Sequence, residues 1–126
     1  NYTSEDVTKR AQELSGGEGV DVVVDHVGAE FFEGAFNALA RGGRYGICGV
    51  TTGYKANLHF GMMFIKHLTV FGCFMGSKED MRALVGLLNR GVITPVVDRT
   101  FPLQEAAQAH QLMESRGFFG KIVLKV

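Results

Sequence analysis

Residues 20–48 combine two short apolar segments with an amphipathic segment between them, and no other feature limits the possible folds as strongly. The first segment, residues 20–26, is rich in valine and almost continuously apolar in its middle, as expected of a strand that is covered on both faces of a sheet. Apolar residues at helical spacing over residues 32–40 predict a helix that ends at two glycines, and residues 44–48 predict a second strand. A strand, a helix and a strand in this order form a βαβ unit, so the two strands should run parallel.

The rest of the chain continues this alternation of helices and strands. Further helices are predicted over residues 7–14, 59–65, 81–88 and 104–113, and further strands over residues 68–74, 93–101 and 121–126. Ser77 and Asp80 stand in capping-box positions ahead of the third of these helices. The alternation predicts an α/β fold with a parallel sheet.

The charge of the chain is balanced, with 13 Lys and Arg against 13 Asp and Glu. Such a chain has no net field that would attract phosphate backbones or anionic membrane surfaces, so nucleic acid and membrane partners are not expected. Charged residues and glycines interrupt the apolar stretches before they reach the ~18 to 20 residues of a membrane span. We therefore expect a soluble globular protein.

The cysteines and the N-terminus bear on where such a chain occurs. Cys48 and Cys73 lie in apolar runs, which favours reduced, packed thiols over a disulfide framework and predicts a cytoplasmic location. Residues 1–4 include neither an initiator methionine nor the features of a signal peptide. We therefore expect the chain to begin inside a longer protein.

Ligands of open α/β sheets bind at the carboxyl ends of the parallel strands, so the residues directly after each strand are the candidate ligand contacts. Glycines stand at three of these positions, Gly28, Gly49 and Gly72. Without side chains, these residues would let a flat ring or a ribose approach the backbone. The same glycines could equally serve only to turn the chain after each strand.

The glycine-rich fingerprint of dinucleotide-binding proteins does not occur in these residues. It must lie between a strand and a helix so that the helix N-terminus faces the pyrophosphate, whereas Gly16, Gly17 and Gly19 leave a helix and enter a strand. Asp25 ends the first strand, as does the acid that binds the adenine ribose in such proteins, but no glycine loop precedes it at the required distance. A local hydrogen-bonding role in the turn is the better interpretation of Asp25.

Metal ligation and nucleophilic catalysis have no support in the residue spacing. Cys48, His59, His67 and Cys73 form no CxxC, HxxxH or HExxH arrangement. No serine or cysteine has the surroundings of a nucleophile elbow. We therefore assign no metal ligand and no catalytic residue to this chain.

Four segments resemble, in the same order, the C-terminal part of a medium-chain dehydrogenase/reductase. They read GVDVVVDHVGAEFF, ALARGGRYGICGVTTGY, LTVFGCFMGSKEDM and FPLQEAAQAHQLMESRGFFGKIVLKV, and together they cover nearly the whole chain. The nearest resemblance is to the zinc-type alcohol dehydrogenases and their quinone reductase relatives. It implies that residues 1–90 are the second half of an NAD(P)-binding Rossmann domain, and that residues 91–126 are a tail that returns to the catalytic domain.

The resemblance also implies which residues contact an NAD or NADP cofactor. The expected contacts are Val27 and Gly28 near the adenosine, Cys48, Gly49 and Val50 near the nicotinamide ribose and carboxamide, Val70, Phe71 and Gly72 near the carboxamide, and Lys121 at the pyrophosphate. Lys121 begins the last strand and could equally be a solvated strand lysine. The zinc ligands of the family lie in its N-terminal half, so zinc in a complete protein would not be ligated by this segment.

By the same resemblance, the complete protein is expected to transfer hydride between nicotinamide and an alcohol or its carbonyl counterpart, and this segment alone is expected to be inactive. A zinc-free quinone or enone reductase is the alternative within the family, and a non-catalytic nucleotide-binding or dimerisation module is the alternative outside it. A Rossmann-like methyltransferase would leave residues 101–126 without a role. Substrates would be small alcohols, carbonyls or quinones, and the strand from Leu68 to Phe74 would pair with its copy in a homodimer.

Overall fold

A computed structural model describes residues 1–126, and the chain divides into two compact units, Asn1–Met75 and Gly76–Val126. The first unit contains α1 (Val7–Leu14), β1 (Val20–Asp25), α2 (Ala29–Asn37), β2 (Leu39–Ile47), α3 (Phe60–Lys66) and β3 (Thr69–Gly72). The second unit contains α4 (Lys78–Asn89), β4 (Val97–Pro102), a 3-10 turn (Leu103–Glu105), α5 (Ala106–Ser115) and β5 (Lys121–Lys125). The predicted α/β fold is confirmed, while a domain boundary between residues 90 and 91 stays a prediction.

The first unit is built on a three-stranded parallel sheet in the order β1-β2-β3. In β2, Ile47 pairs with Asp25 of β1 on one side and with Gly72 of β3 on the other. The carboxyl ends of the three strands are therefore level with one another. The loops that leave them start from a common edge, as the βαβ pattern predicts.

The core of this unit lies on one face of the sheet, under α2 and α3. The rings of Phe32 and Phe36 on α2 stack with centroids 5.3 Å apart, and Phe32 lies 5.1 Å from the ring of Tyr45 on β2. Leu39 and Leu68 belong to the same buried cluster. Burying an aromatic or leucine side chain of this kind contributes about 1.5 to 3 kcal/mol, so α2 is held on the sheet mainly by its apolar stripe.

The opposite face of the sheet is not covered, and the expectation that residues 20–26 are covered on both faces is wrong for this chain. Val22 and Val24 are 54% and 72% exposed, whereas Asp25 next to them is 1% exposed. Successive side chains of a strand point to opposite faces, and the helices that pack on the sheet lie on one of them. An apolar run in β1 therefore does not distinguish one covered face from two.

The predicted helix over residues 32–40 ends too late. α2 ends at Asn37, and Leu39 is already paired with Val20 at the start of β2. The pairing of β1 with β2 is irregular between Val20 and Val22, which takes up the extra residues of β2. Leu39 is fully buried in this strand, as it would be in a helix, so its hydrophobicity did not reveal the boundary.

The second unit contains a two-stranded parallel sheet, in which Lys121 pairs with Val97. Phe101 and Ala109 are its buried apolar residues. The capping box predicted ahead of α4 is confirmed, because the Ser77 side chain accepts a bond from the Asp80 amide and the Asp80 side chain accepts one from the Ser77 amide. None of the helices has both the length and the apolar character that crossing a bilayer requires.

Candidate functional site at the carboxyl edge of the sheet

A cavity of about 220 Å³ opens at the carboxyl edge of the three-stranded sheet. Its lining comes from the ends of all three strands, the start of α2 and the loop after β2: Asp25, Gly28, Ala29, Phe32, Ile47, Val50, Gly53, Tyr54, Lys55, Ala56, Leu58 and Val70. Most of these side chains are apolar, and Asp25 and Lys55 carry the charges. A concave apolar site with a few polar groups is the usual form of a small-molecule site.

The cavity brings together three of the predicted cofactor contacts, Gly28, Val50 and Val70. Val27, Cys48 and Gly49 are their neighbours in the chain and lie outside the cavity lining. Phe71 and Gly72 are both exposed, and Phe71 alternates with Val70 along β3, so its ring lies on the uncovered face of the sheet. Lys121 belongs to the second unit.

The three glycines after the strands differ in their surroundings. A Cβ atom on Gly28 would stand 2.8 Å from the carbonyl oxygen of Gly53 and from Cα of Val50, and one on Gly49 would stand 2.6 Å from the carbonyl oxygen of His26. No atom lies within 4 Å of the Cβ position of Gly72. Gly28 and Gly49 therefore let the loops pack on each other, whereas the space on the Cβ side of Gly72 is empty.

Asp25 organises the turn between β1 and α2. Its Oδ1 accepts hydrogen bonds from the amides of Val27 at 2.7 Å and Gly28 at 3.1 Å, and its Oδ2 also lies 3.2 Å from the Gly28 amide. This is an Asx-type turn, in which the side chain replaces a backbone acceptor. Asp25 therefore has the local hydrogen-bonding role that its position in the sequence favoured.

Tyr45 provides the remaining contact of the Asp25 carboxyl group. The Tyr45 hydroxyl donates to Asp25 Oδ2 over 2.8 Å in the interior of the unit. Burial, followed by this hydrogen bond and the charge of Asp25, raises the pKa of Tyr45 well above its ordinary value. The hydroxyl is therefore a permanent donor at neutral pH.

The loop after β2 is bonded directly to the turn after β1. The Thr52 hydroxyl donates to the carbonyl oxygen of Val27 at 2.9 Å and accepts from the amide of Glu30 at 3.1 Å. The Thr52 amide donates to the same Val27 carbonyl at 2.9 Å. Thr52 thus acts as the side-chain cap that α2 lacks at Gly28, and it ties the two loops together.

Two cavity residues and the residue that bonds Asp25 were not found from the sequence. Tyr54 and Lys55 lie in a turn-rich loop whose course cannot be inferred from periodicity, and Tyr45 looked like an ordinary strand residue. The aspartate at the end of β1 is the sequence feature that could have pointed to Tyr45. A buried carboxyl group needs hydrogen-bond donors, and a residue of the neighbouring strand is well placed to supply one.

Neither cysteine is packed, and the expectation of packed thiols is wrong. Cys48 and Cys73 are free and exposed because each follows the last residue of its strand, where the apolar run leaves the sheet. The Cys48 thiol donates to the carbonyl oxygen of Asp25 at 3.3 Å. His59 caps α3 by accepting from the Met62 amide at Nδ1, which is a structural role.

Comparison with known proteins decides the family. A profile described as Zinc-binding dehydrogenase matches residues 1–124. The chain belongs to this family. The resemblance to the C-terminal part of a medium-chain dehydrogenase/reductase is therefore confirmed, and the parallel sheet of the first unit matches the Rossmann-like NAD-binding domain of these dehydrogenases.

Two curated reductases are among the proteins similar to this chain. A 2-haloacrylate reductase from Burkholderia sp is 30% identical over 135 residues, a match that covers 98% of this chain and 40% of that protein. Quinone oxidoreductase 1 from Escherichia coli (strain K12) is 29% identical over 136 residues, covering 98% of this chain and 41% of that protein. The chain thus spans 40% and 41% of the length of these relatives.

Two solved structures that are similar to this chain show the same fold. An NAD-dependent alcohol dehydrogenase is 43% identical with a TM-score of 0.82, and the match covers 100% of this chain and 37% of that one. A crotonyl-CoA carboxylase/reductase in complex with NADP is 26% identical with a TM-score of 0.82, and the match covers 94% of this chain and 30% of that one.

The zinc in the family's name does not fit the residues of this chain. No three His, Cys, Asp or Glu side chains come close enough together to hold a metal ion. Of the potential ligands of the first unit, Asp25 is saturated by its turn amides and Tyr45, and His59 is occupied as a helix cap. A tetrahedral zinc site needs three or four such ligands on one point. No step of the chemistry is assigned to zinc held by this chain.

Proposed function

We propose that this chain forms the nicotinamide-facing part of an NAD(P)-dependent oxidoreductase. The observation that carries the proposal is the cavity at the carboxyl edge, where Gly28 after β1, Val50 after β2 and Val70 of β3 line one space. This edge of a parallel sheet is where dinucleotides bind in Rossmann folds. The membership of the zinc-binding dehydrogenase family supports the same ligand class.

The residues of the chain fit a flat, partly polar ring. Val50 and Val70 offer apolar surface, and the empty space around the Cβ position of Gly72 leaves room for a carboxamide to approach this strand. A bound nicotinamide would supply the hydride acceptor or donor of the reaction. The chain itself would orient the ring and exclude water from one side of it, and no side chain of the cavity is assigned a proton-transfer role.

The substrate class is a small alcohol, carbonyl or quinone. The names of the similar proteins divide between two reactions: an NAD-dependent alcohol dehydrogenase on one side, and a quinone oxidoreductase and a 2-haloacrylate reductase on the other. We propose alcohol dehydrogenase-type hydride transfer first, because the alcohol dehydrogenase has the highest identity of the four, at 43%. A zinc-free quinone or enone reductase is the second candidate, favoured by the two curated relatives.

The remaining predictions of the sequence are part of the same proposal. Val27 and Gly28 would lie towards the adenosine, Cys48, Gly49 and Phe71 towards the nicotinamide, and Lys121 at the pyrophosphate. A homodimer would form through the strand from Leu68 to Phe74, and this is supported by the position of β3 at the outer edge of its sheet. A cytoplasmic location belongs to the proposal too.

Ligand-observed NMR tests the proposal on the chain as it stands. Saturating the methyl resonances of the chain should transfer magnetisation to NADH or NADPH, and more strongly to the nicotinamide protons than to the adenine protons. AMP, which lacks the nicotinamide, is the matched control and should receive little. Equal transfer to both ends of the dinucleotide, or none at all, would contradict the proposal.

A further inference from the structure

Asp25 is the one buried polar or charged residue of this structure, at 1% exposure. No lysine, arginine or histidine forms an ion pair with it, and its hydrogen-bond donors are the amides of Val27 and Gly28 and the hydroxyl of Tyr45. Burying a carboxyl group is expensive unless every oxygen is bonded. Both oxygens are bonded here, and every bond goes to the turn or to the strand next to it.

The turn whose amides donate these bonds to Asp25 has a backbone conformation that needs contacts with other residues to be maintained. Gly28 has φ 93° and ψ −134°, a region open to glycine and strained for other residues. Glycine at such a position has many alternatives, so its conformation must be fixed by contacts. On one side, the amides of Val27 and Gly28 donate hydrogen bonds to the Asp25 carboxyl group. On the other side, the amide of Ala29 donates a hydrogen bond to the carbonyl oxygen of Gly53.

The position of this turn determines the shape of the cavity. Gly28 packs directly on Val50, and both residues line the cavity together with Asp25 itself. A movement of the turn away from the loop after β2 would separate Gly28 from Val50 and open the wall between the two loops. Tyr45 lies on the central strand and packs against the rings of Phe32 and Phe36. Its hydroxyl bonds the Asp25 carboxyl group, which accepts hydrogen bonds from the turn amides.

We infer that Asp25 and Tyr45 are a positioning pair for the ligand site: the Tyr45 hydroxyl orients the Asp25 carboxyl group, which in turn fixes the Val27 and Gly28 backbone at the cavity wall. The inference rests on the proposed function and adds residues that act on the site through the backbone. Stability alone does not require such a pair, because apolar side chains of similar volume often replace buried polar pairs without loss. The contribution of the pair is to hold the backbone of the cavity wall in place.

The experiment compares Asp25→Ala with Asp25→Asn by amide NMR of the isotope-labelled chain titrated with NADH. The alanine variant loses the acceptor for both turn amides, and its Kd should rise about fivefold or more, the equivalent of a lost hydrogen bond. The asparagine variant keeps an Oδ1 acceptor and can donate to Tyr45, so its Kd should stay within about twofold of the wild type. Amide hydrogen exchange of Val27 and Gly28 should accelerate in the first variant and not in the second.

Leu39→Ala is the matched control, because it removes a fully buried side chain at the opposite end of the same sheet. It should lower thermal stability without raising the Kd for NADH. If it weakens binding as much as Asp25→Ala does, or if asparagine fails to restore affinity and exchange protection, the pair is only structural and the inference is overturned.

Two further outcomes separate this inference from the proposed function. If the wild-type chain shows no NADH-dependent shifts, the proposed function fails, and the exchange rates of Val27 and Gly28 decide the positioning claim without any ligand. If Asp25→Ala does not fold, Tyr45→Phe takes its place, since it removes one hydroxyl and leaves the turn amides bonded. That variant should show a smaller rise in Kd, and an unchanged Kd together with unchanged exchange would overturn the inference.

Discussion

The Tyr45 hydroxyl donates a hydrogen bond to Asp25 Oδ2 over 2.8 Å, and both side chains are withdrawn from solvent. Removing the hydroxyl leaves one oxygen of a buried carboxyl group with a single long contact to the Gly28 amide. We predict that Tyr45→Phe lowers the free energy of unfolding by about 1 to 3 kcal/mol, as for other buried polar atoms that lose a partner. Urea denaturation followed by circular dichroism measures this, and an unchanged midpoint would contradict it.

Alkaline pH should act through the same hydroxyl. Because the folded state raises the pKa of Tyr45, both states are protonated below the ordinary tyrosine value of about 10, and there the stability is complete. Above it the unfolded chain releases the proton first, so the free energy of unfolding falls as the pH rises towards the folded pKa. Tyr45→Phe should make this fall shallower. Equal slopes in the two proteins would show that Tyr45 is not responsible.

Gly28 and Gly72 should differ in their sensitivity to the same substitution. An alanine Cβ at Gly28 would meet the Gly53 carbonyl and Val50 Cα at 2.8 Å, and the residue would have to keep a positive φ. Gly28→Ala should therefore destabilise the chain by more than about 1 kcal/mol. Gly72→Ala places its methyl group in open space and should leave the thermal midpoint nearly unchanged. Calorimetry of both variants tests this, and similar losses in the two would refute the assignment of Gly28 to close loop packing.

Thr52 and Thr51 form a natural matched pair. The Thr52 hydroxyl bridges the Val27 carbonyl and the Glu30 amide, whereas the Thr51 hydroxyl makes one longer bond of 3.3 Å to the Val27 carbonyl. Valine at position 52 removes a helix cap and should lower the free energy of unfolding by about 1 kcal/mol. Thr51→Val should change it much less. Chemical denaturation distinguishes the two, and a larger effect at Thr51 would mean that the loop is held in another way.

Acid should weaken the start of α4. Hydrogen bonds from the Ser77 backbone and side chain lower the pKa of Asp80. The stabilisation of the folded state by the Asp80 carboxylate is therefore complete above the ordinary carboxyl pKa. It is lost as the pH falls through the depressed value, because the unfolded chain takes up the proton first. Helical circular dichroism should therefore fall more between neutral and acid pH in the wild type than in Asp80→Asn. Parallel curves would rule out the capping box as the source.

The sequence predicted the elements well because the short segments have strong local signals. The valines of β1, the apolar stripe of α2 and the capping box at Ser77 each depend on neighbours a few residues away. The boundary at Leu39 was missed because a residue that is buried in either structure gives no information on which one it occupies. The exposure of Val22 and Val24 was missed because it depends on which faces the helices cover, and the strand itself does not encode that.

Only the general location of the candidate site could be predicted from the sequence, because ligands of open α/β sheets bind at the carboxyl ends of the strands. Gly28, Val50 and Val70 do meet at one cavity, as parallel strand ends should. The bonds that shape it, from Tyr45 to Asp25 and from Thr52 to Val27, join residues about twenty or more positions apart in pairs that no local pattern marks. Polar partners across a sheet depend on register, and register was available only from the structure.

The most direct test of the nicotinamide-facing role is a map of amide shifts as NADH is added to the isotope-labelled chain. We expect shifts at Gly28, Val50, Val70 and Gly72, with the amides of α1 unchanged. Gly72→Val should abolish them while the chain stays folded, because the added side chain stands where the ring would approach. Shifts that avoid the carboxyl edge, or that survive Gly72→Val unchanged, would contradict the account.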